Sequence, residues 1–122
     1  MPVRSLNSSV FKWPDRGQVD RAAREWSERA VKLHSHVMRI GYFGSYARGD
    51  CGVGSDLDLV AVVESDPEPF ERRPLRWDMS QLPVQAQLLV YTAAEWEAFL
   101  AQGSRFARVL KDETVWVYGW GE

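Results

Sequence analysis

The chain has 122 residues, a formal net charge of -2, 45% hydrophobic residues and six tryptophans, which is enough to build one core and too little for two. That charge balance excludes a broad electrostatic grip on DNA or RNA, which needs a basic surface. The longest apolar run, "LVAVV", is too short to cross a bilayer, and "MPVRSLNSSVFKWP" lacks the apolar centre of a signal peptide, so with one cysteine, Cys51, the expectation is a cytoplasmic protein.

Taken in chain order, "DRGQVDRAAREWSERAVKL" (15–33) places Val19, Ala22, Ala23, Trp26, Ala30 and Leu33 at helical spacing, with charges on the other side. Arg21 with Glu25, Arg24 with Glu28 and Glu28 with Lys32 are opposite charges four apart, so this face is read as self-paired and solvated. "HVMRIGYF" (36–43) is read as a strand. His34 and His36 flank its start, and with no third histidine they are read as helix end and strand entry, not as a zinc site. "DLDLVAVV" (56–63) becomes apolar on both faces after Asp58, as a strand in the middle of a sheet does.

A proline-broken connection follows, with a helical turn or two around Phe70 to Arg73 and a candidate basic loop in "ERRPLR". "VQAQLLVYT" (84–92) is the third strand. Thr92 and Glu95 form a capping box for a helix carrying Trp96, Phe99 and Leu100 and closed by Gly103. Residues 104–111 predict another helix, and "TVWVYGW" a last strand, in which Trp116 and Trp120 complete the core or meet a partner. The fold class is therefore α/β (α+β): a mixed β-sheet flanked by helices, in a single domain over 1–122.

The chemistry concentrates in "GYFGSYARGDCGVGSDLDLVAVV" (41–63). Side chains alternate along a strand, so Asp56 and Asp58 share a face, about 6 to 7 Å apart, a spacing at which two carboxylates can share divalent cations. Mg2+ suits them, because it is hard and usually takes one or two carboxylates while phosphate and water supply the rest. Upstream, Gly44 and Ser45 enter a turn that opens a short helix, where backbone amides and the Ser45 hydroxyl can hold a triphosphate and Arg48 can add a charged fork. Cys51, in the following glycine-rich turn, is read as a bystander.

These segments resemble minimal (MNT-type) members of the DNA polymerase β superfamily of nucleotidyltransferases. That family's pattern is an apolar residue, glycine, glycine or serine, a spacer, then aspartate, apolar, aspartate or glutamate, apolar. Phe43, Gly44, Ser45, ten intervening residues and Asp56-Leu57-Asp58-Leu59 follow it, and "GSYARG" and "SDLDL" are similar to its MNT versions. The resemblance implies the nucleotidyltransferase fold and transfer of a nucleoside monophosphate, AMP from ATP, to a hydroxyl acceptor. It implies catalytic and metal-binding roles for Asp56 and Asp58, and nucleotide binding at Gly44, Ser45 and Arg48. It further implies Mg2+ as cofactor and a HEPN-type helical protein as partner in a prokaryotic toxin–antitoxin pair.

The family generally has a third acid on a later strand, and the matching position here is Gln87. Glutamine offers an oxygen but neither charge nor base. Asp78 and Glu95 are the candidate substitutes, and the alternative function is a weak or inactive nucleotide-binding protein that acts by binding its partner.

Overall fold

A computed structural model describes residues 13–119. Helix α1 (Arg16–Leu33) starts at Asp15, whose side chain accepts from the Gln18 amide while Gln18 bonds back, a reciprocal cap. It leads into β1 (Val37–Phe43), the four-residue helix α2 (Ser45–Arg48) and β2 (Leu57–Val63). A 3-10 helix (Phe70–Arg76) then precedes β3 (Ala86–Thr92), α3 (Ala93–Ala101), α4 (Arg105–Glu113) and β4 (Val115–Tyr118). Element order and type agree with the sequence reading; the third strand begins two residues later than predicted, at Ala86.

The sheet order is β3-β2-β1-β4, with β1 antiparallel to both β2 and β4, and β2 parallel to β3. A parallel pair needs a crossover, and the 3-10 segment and following loop provide it between β2 and β3. On one face α1 buries Val19, Ala23, Trp26 and Ala30 against Ile40, Tyr42, Leu57, Leu59 and Val90. On the other, Trp96 and Leu110 of α3 and α4 cover Phe43, Val60 and Val62. β2 is apolar on both faces because helices cover both, which is why its sequence does not alternate.

Trp116 belongs to this second core: it stands edge-on to Trp96, 5.8 Å away, and Arg39 lies over its ring at 4.7 Å. It seats against Gly41, where a Cβ would meet Trp116 Cε3 at 2.8 Å. The reading of Trp116 as core is the one observed, whereas Trp120 lies outside the described residues.

Two charge assignments from sequence are corrected. Arg24 pairs with Asp20 at 2.9 Å, one turn upstream, rather than with Glu28, because Tyr42 of β1 also donates to Asp20 and fixes that carboxylate. The "ERRPLR" segment is not a basic loop: Arg73 is buried, and Arg76 and Arg72 pair with Asp66 and Glu68. Among the described residues, no helix is long and apolar enough to cross a membrane.

Candidate active site

Antiparallel pairing of β1 with β2 carries the end of one strand to the beginning of the other. Phe43 registers with Asp58, and Asp58 in turn registers with Gln87 on β3. Period-two alternation puts Asp58 on the face of Val60 and Val62, and Gln87 on the face of Leu89, which packs against the same core. One row across the sheet thus reads Phe43, Asp58, Gln87, at the end of the face that α3 and α4 leave open.

Gly44 follows Phe43 with φ 78° and ψ -147°, a conformation that L side chains rarely adopt. A Cβ there would lie 2.5 Å from Asp58 Oδ2, so the turn and the carboxylate touch. Glycine is favoured at this position by its backbone angles, and any side chain there would displace the Asp58 carboxylate. Asp58 is half-buried, and burial first, then the charge of Asp56, push its carboxyl above the usual range while Arg48 pulls it down. Asp56 stands just before β2 and is exposed.

The short helix that Gly44 opens is framed from several sides. Arg16 in the first turn of α1 donates to the carbonyls of Tyr46 (2.8 Å) and Ala47 (2.9 Å), and the Tyr46 hydroxyl donates to the Ser55 carbonyl (3.3 Å). Gly49 and Asp50 amides return to the Ser45 carbonyl. The loop between Ser45 and Asp56 is therefore tied at both ends, which fixes the turn relative to the carboxylates. First-turn amides of a helix have no intrahelical acceptor, so those of Ser45 and Tyr46 are donors of the kind phosphate uses. Arg48 is held by Asp50 (3.1 Å), with Glu113 at 3.9 Å, and both raise its pKa, the Asp50 hydrogen bond most.

Neither candidate substitute acid reaches this row. Glu95 lies beyond Thr92, and Thr92 registers with Val63 at the far end of β2; its carboxylate caps α3 and pairs with Arg73. Asp78 sits against α1 on the other face, its carbonyl accepting from Trp26 Nε1 and its carboxylate from Ser80. His34 stacks on Trp77 with centroids 4.1 Å apart, and burial lowers its pKa; His36 is 3.5 Å from Glu64. Among the described residues no three histidine, cysteine, aspartate or glutamate side chains gather closely enough to hold a metal. Arg16, Tyr46 and Glu113 had no sequence signal beyond their identities, since each acts through a contact distant along the chain.

A mixed sheet in which a strand runs through a glycine turn into a short helix, then returns antiparallel as a strand opening on Asp-Leu-Asp, has the architecture of the nucleotidyltransferase fold. A family model described as "Nucleotidyltransferase domain" matches residues 22–117, and the chain belongs to that family. Among solved structures, it is similar to a Sulfolobus solfataricus protein provisionally described as a nucleotidyltransferase, at 19% identity and TM-score 0.60, over 94% of this chain and 87% of that one. It is also similar to a structure described as a toxin-antitoxin with AMP-PNP, at 16% identity and TM-score 0.54, over 80% and 73% of the respective chains. No curated protein matches. At these identities the two likenesses speak to fold.

Proposed function

We propose that the chain transfers AMP from ATP to a hydroxyl on a partner protein, as the enzyme half of a prokaryotic toxin–antitoxin pair with a helical, HEPN-type protein. The observation that carries this reading is the contact of Asp58 with Gly44, with the charge of Asp56 acting on the same carboxyl, which places a glycine turn able to hold phosphate against an acidic strand start. The family match and the AMP-PNP-containing toxin-antitoxin neighbour support it.

In this reading the turn at Gly44 and Ser45, through the Ser45 and Tyr46 amides, the Ser45 hydroxyl and Arg48, holds the triphosphate chain. Asp56 and Asp58 are hard oxygen donors that would suit one Mg2+, and Gln87, in register with Asp58, would add at most a neutral oxygen, so the ion would be held weakly. When bound, that ion supplies neutralising charge to the phosphates. An oxygen lone pair of the acceptor hydroxyl forms a bond to the α-phosphorus, the α–β bridging bond breaks, and pyrophosphate leaves with its electron pair. The acceptor proton passes to water, since Gln87 offers no base.

Gln87 also favours a second reading, a nucleotide-binding protein with little turnover that acts by sequestering its partner. General-base assistance is worth ~10² to 10⁴ in rate, so its absence leaves a slow enzyme or none. The two are separated with ATP labelled at the α-phosphate, Mg2+ and the co-purified helical partner. Label on the partner that falls at least ~10²-fold with Asp58→Ala supports transfer. Gln87→Asp is expected to raise transfer by ~10² or more. Nucleotide binding without label transfer in both the wild type and Gln87→Asp establishes the binder instead.

A further inference from the structure

Phe106 stands in the first turn of α4 with 43% of its surface exposed. Its ring is buttressed on two sides, edge-on to Phe43 (5.8 Å, 71°) and edge-on to Phe99 (5.8 Å, 66°). Phe43 is the β1 residue registered with Asp58. The ring therefore leans on the immediate cross-strand neighbour of the carboxylate. At the other end of the same helix, Glu113 lies 3.9 Å from Arg48. Helix α4 thus walls the open end of the sheet face from Arg48 to Phe106, and Phe99, stacked on Tyr91 at 5.2 Å, extends the wall along α3.

On the β1 side of Asp58, Phe43 is followed directly by the Gly44 turn, proposed above to bind phosphate, and is covered by the ring of Phe106, so the turn and an aromatic surface adjoin the same carboxylate. A nucleoside triphosphate carries the matching pair of chemistries, a polyanion and a flat π-system. Among the described residues Leu33, Met38, Val53 and Leu75 are more exposed than Phe106 but carry no π-face, and the exposed Phe70 packs on Tyr91, which registers with Val62 and not with the Asp58 row.

We infer that the half-exposed ring of Phe106 is the stacking platform for the nucleobase of the triphosphate held at Gly44 and Ser45. This inference builds on the nucleotide-binding reading proposed above and adds how the base is received. Aromatic stacking accepts any base and strengthens with its π-area, so the site prefers purines to pyrimidines without reading hydrogen-bonding edges. Phe43 and Phe99 hold the ring in place before the nucleotide arrives, which limits the ordering cost of binding.

The test is calorimetric titration of the full chain with ATP, CTP and inorganic tripolyphosphate, each with Mg2+, comparing wild type, Phe106→Leu and Phe106→Trp. The expected result is ATP affinity about tenfold weaker in Phe106→Leu and kept in Phe106→Trp, with the ATP-over-CTP preference shrinking in the leucine variant. Tripolyphosphate affinity stays the same in all three. Unchanged ATP affinity in Phe106→Leu overturns the inference, and so does a parallel loss for ATP and tripolyphosphate, which assigns the ring to supporting the turn. If wild type binds neither ATP nor tripolyphosphate, the nucleotide-binding reading itself has failed.

Discussion

Glu95→Ala is expected to lower the unfolding free energy by about 2–4 kcal/mol in urea denaturation, although it removes a surface side chain. The reason lies in its partner. Arg73 is inside the protein, its side chain 5% exposed, where its guanidinium donates to the carbonyls of Glu68 (2.8 Å) and Val90 (3.0 Å) and forks onto both oxygens of Glu95 (2.6 and 3.1 Å). Removing one partner of a buried pair costs roughly 3–5 kcal/mol, and the expected loss is set about 1 kcal/mol lower because Glu95 is itself 44% exposed. Loss of the reciprocal cap at Thr92 adds to the effect. Arg73→Met in the Glu95→Ala background should recover part of the loss, because no uncompensated cation remains inside.

The pair also sets an acid limit. The Arg73 hydrogen bond first, followed by those at Thr92, hold the Glu95 carboxyl down at about 2, against an ordinary 4.5. A depressed carboxylate contributes stability that is complete above the unfolded value and is lost as pH falls through the folded one. Wild type should therefore lose this contribution between about pH 4.5 and 2, and Glu95→Ala should show a shallower decline over that window. Equal slopes, or a stability change below ~0.5 kcal/mol, would show that Arg73 finds its compensation elsewhere.

Gly44→Ala should reduce transfer at least ~10²-fold, since the added methyl meets Asp58 Oδ2 and displacements near 1 Å cost about that much in a positioned site. It should also destabilise the fold by about 1–3 kcal/mol, from the strained backbone. The two effects separate in the Gly44→Ala/Asp58→Ala double variant. There the collision is relieved while φ 78° remains, so stability should return part of the way. Full additivity of the two single changes would mean that the carboxylate simply swings aside. An active Gly44→Ala enzyme would remove the turn from the proposed mechanism.

Much of the architecture was legible because it is written locally. Period 3.6 in α1, the apolar run of β2 and the Thr92–Glu95 capping box each fall within one short window, and all three elements formed as expected. The juxtaposition of Gly44 with Asp58 was also within reach, since an antiparallel return through α2 and the loop after it pairs Phe43 with Asp58. Arg73 was not legible: besides the nearby Glu68 carbonyl, its acceptors are Val90 and Glu95, placed by a parallel crossover that no sequence window spans, so an arginine-rich string read as a basic loop. Asp20 is a milder case, where Tyr42, 22 residues away, selected which of two helical neighbours Arg24 would bind. Phe106 carries no sequence signal, because nothing in its own segment points to Phe43.

Gln87 sits on an edge strand, exposed, with no share in either core. Its identity is therefore uncoupled from foldability, and selection can exchange amide for acid there without rebuilding anything beneath it. Glutamine and glutamate codons differ by a single first-base change, so within the proposed mechanism an acid at this position is one mutation away.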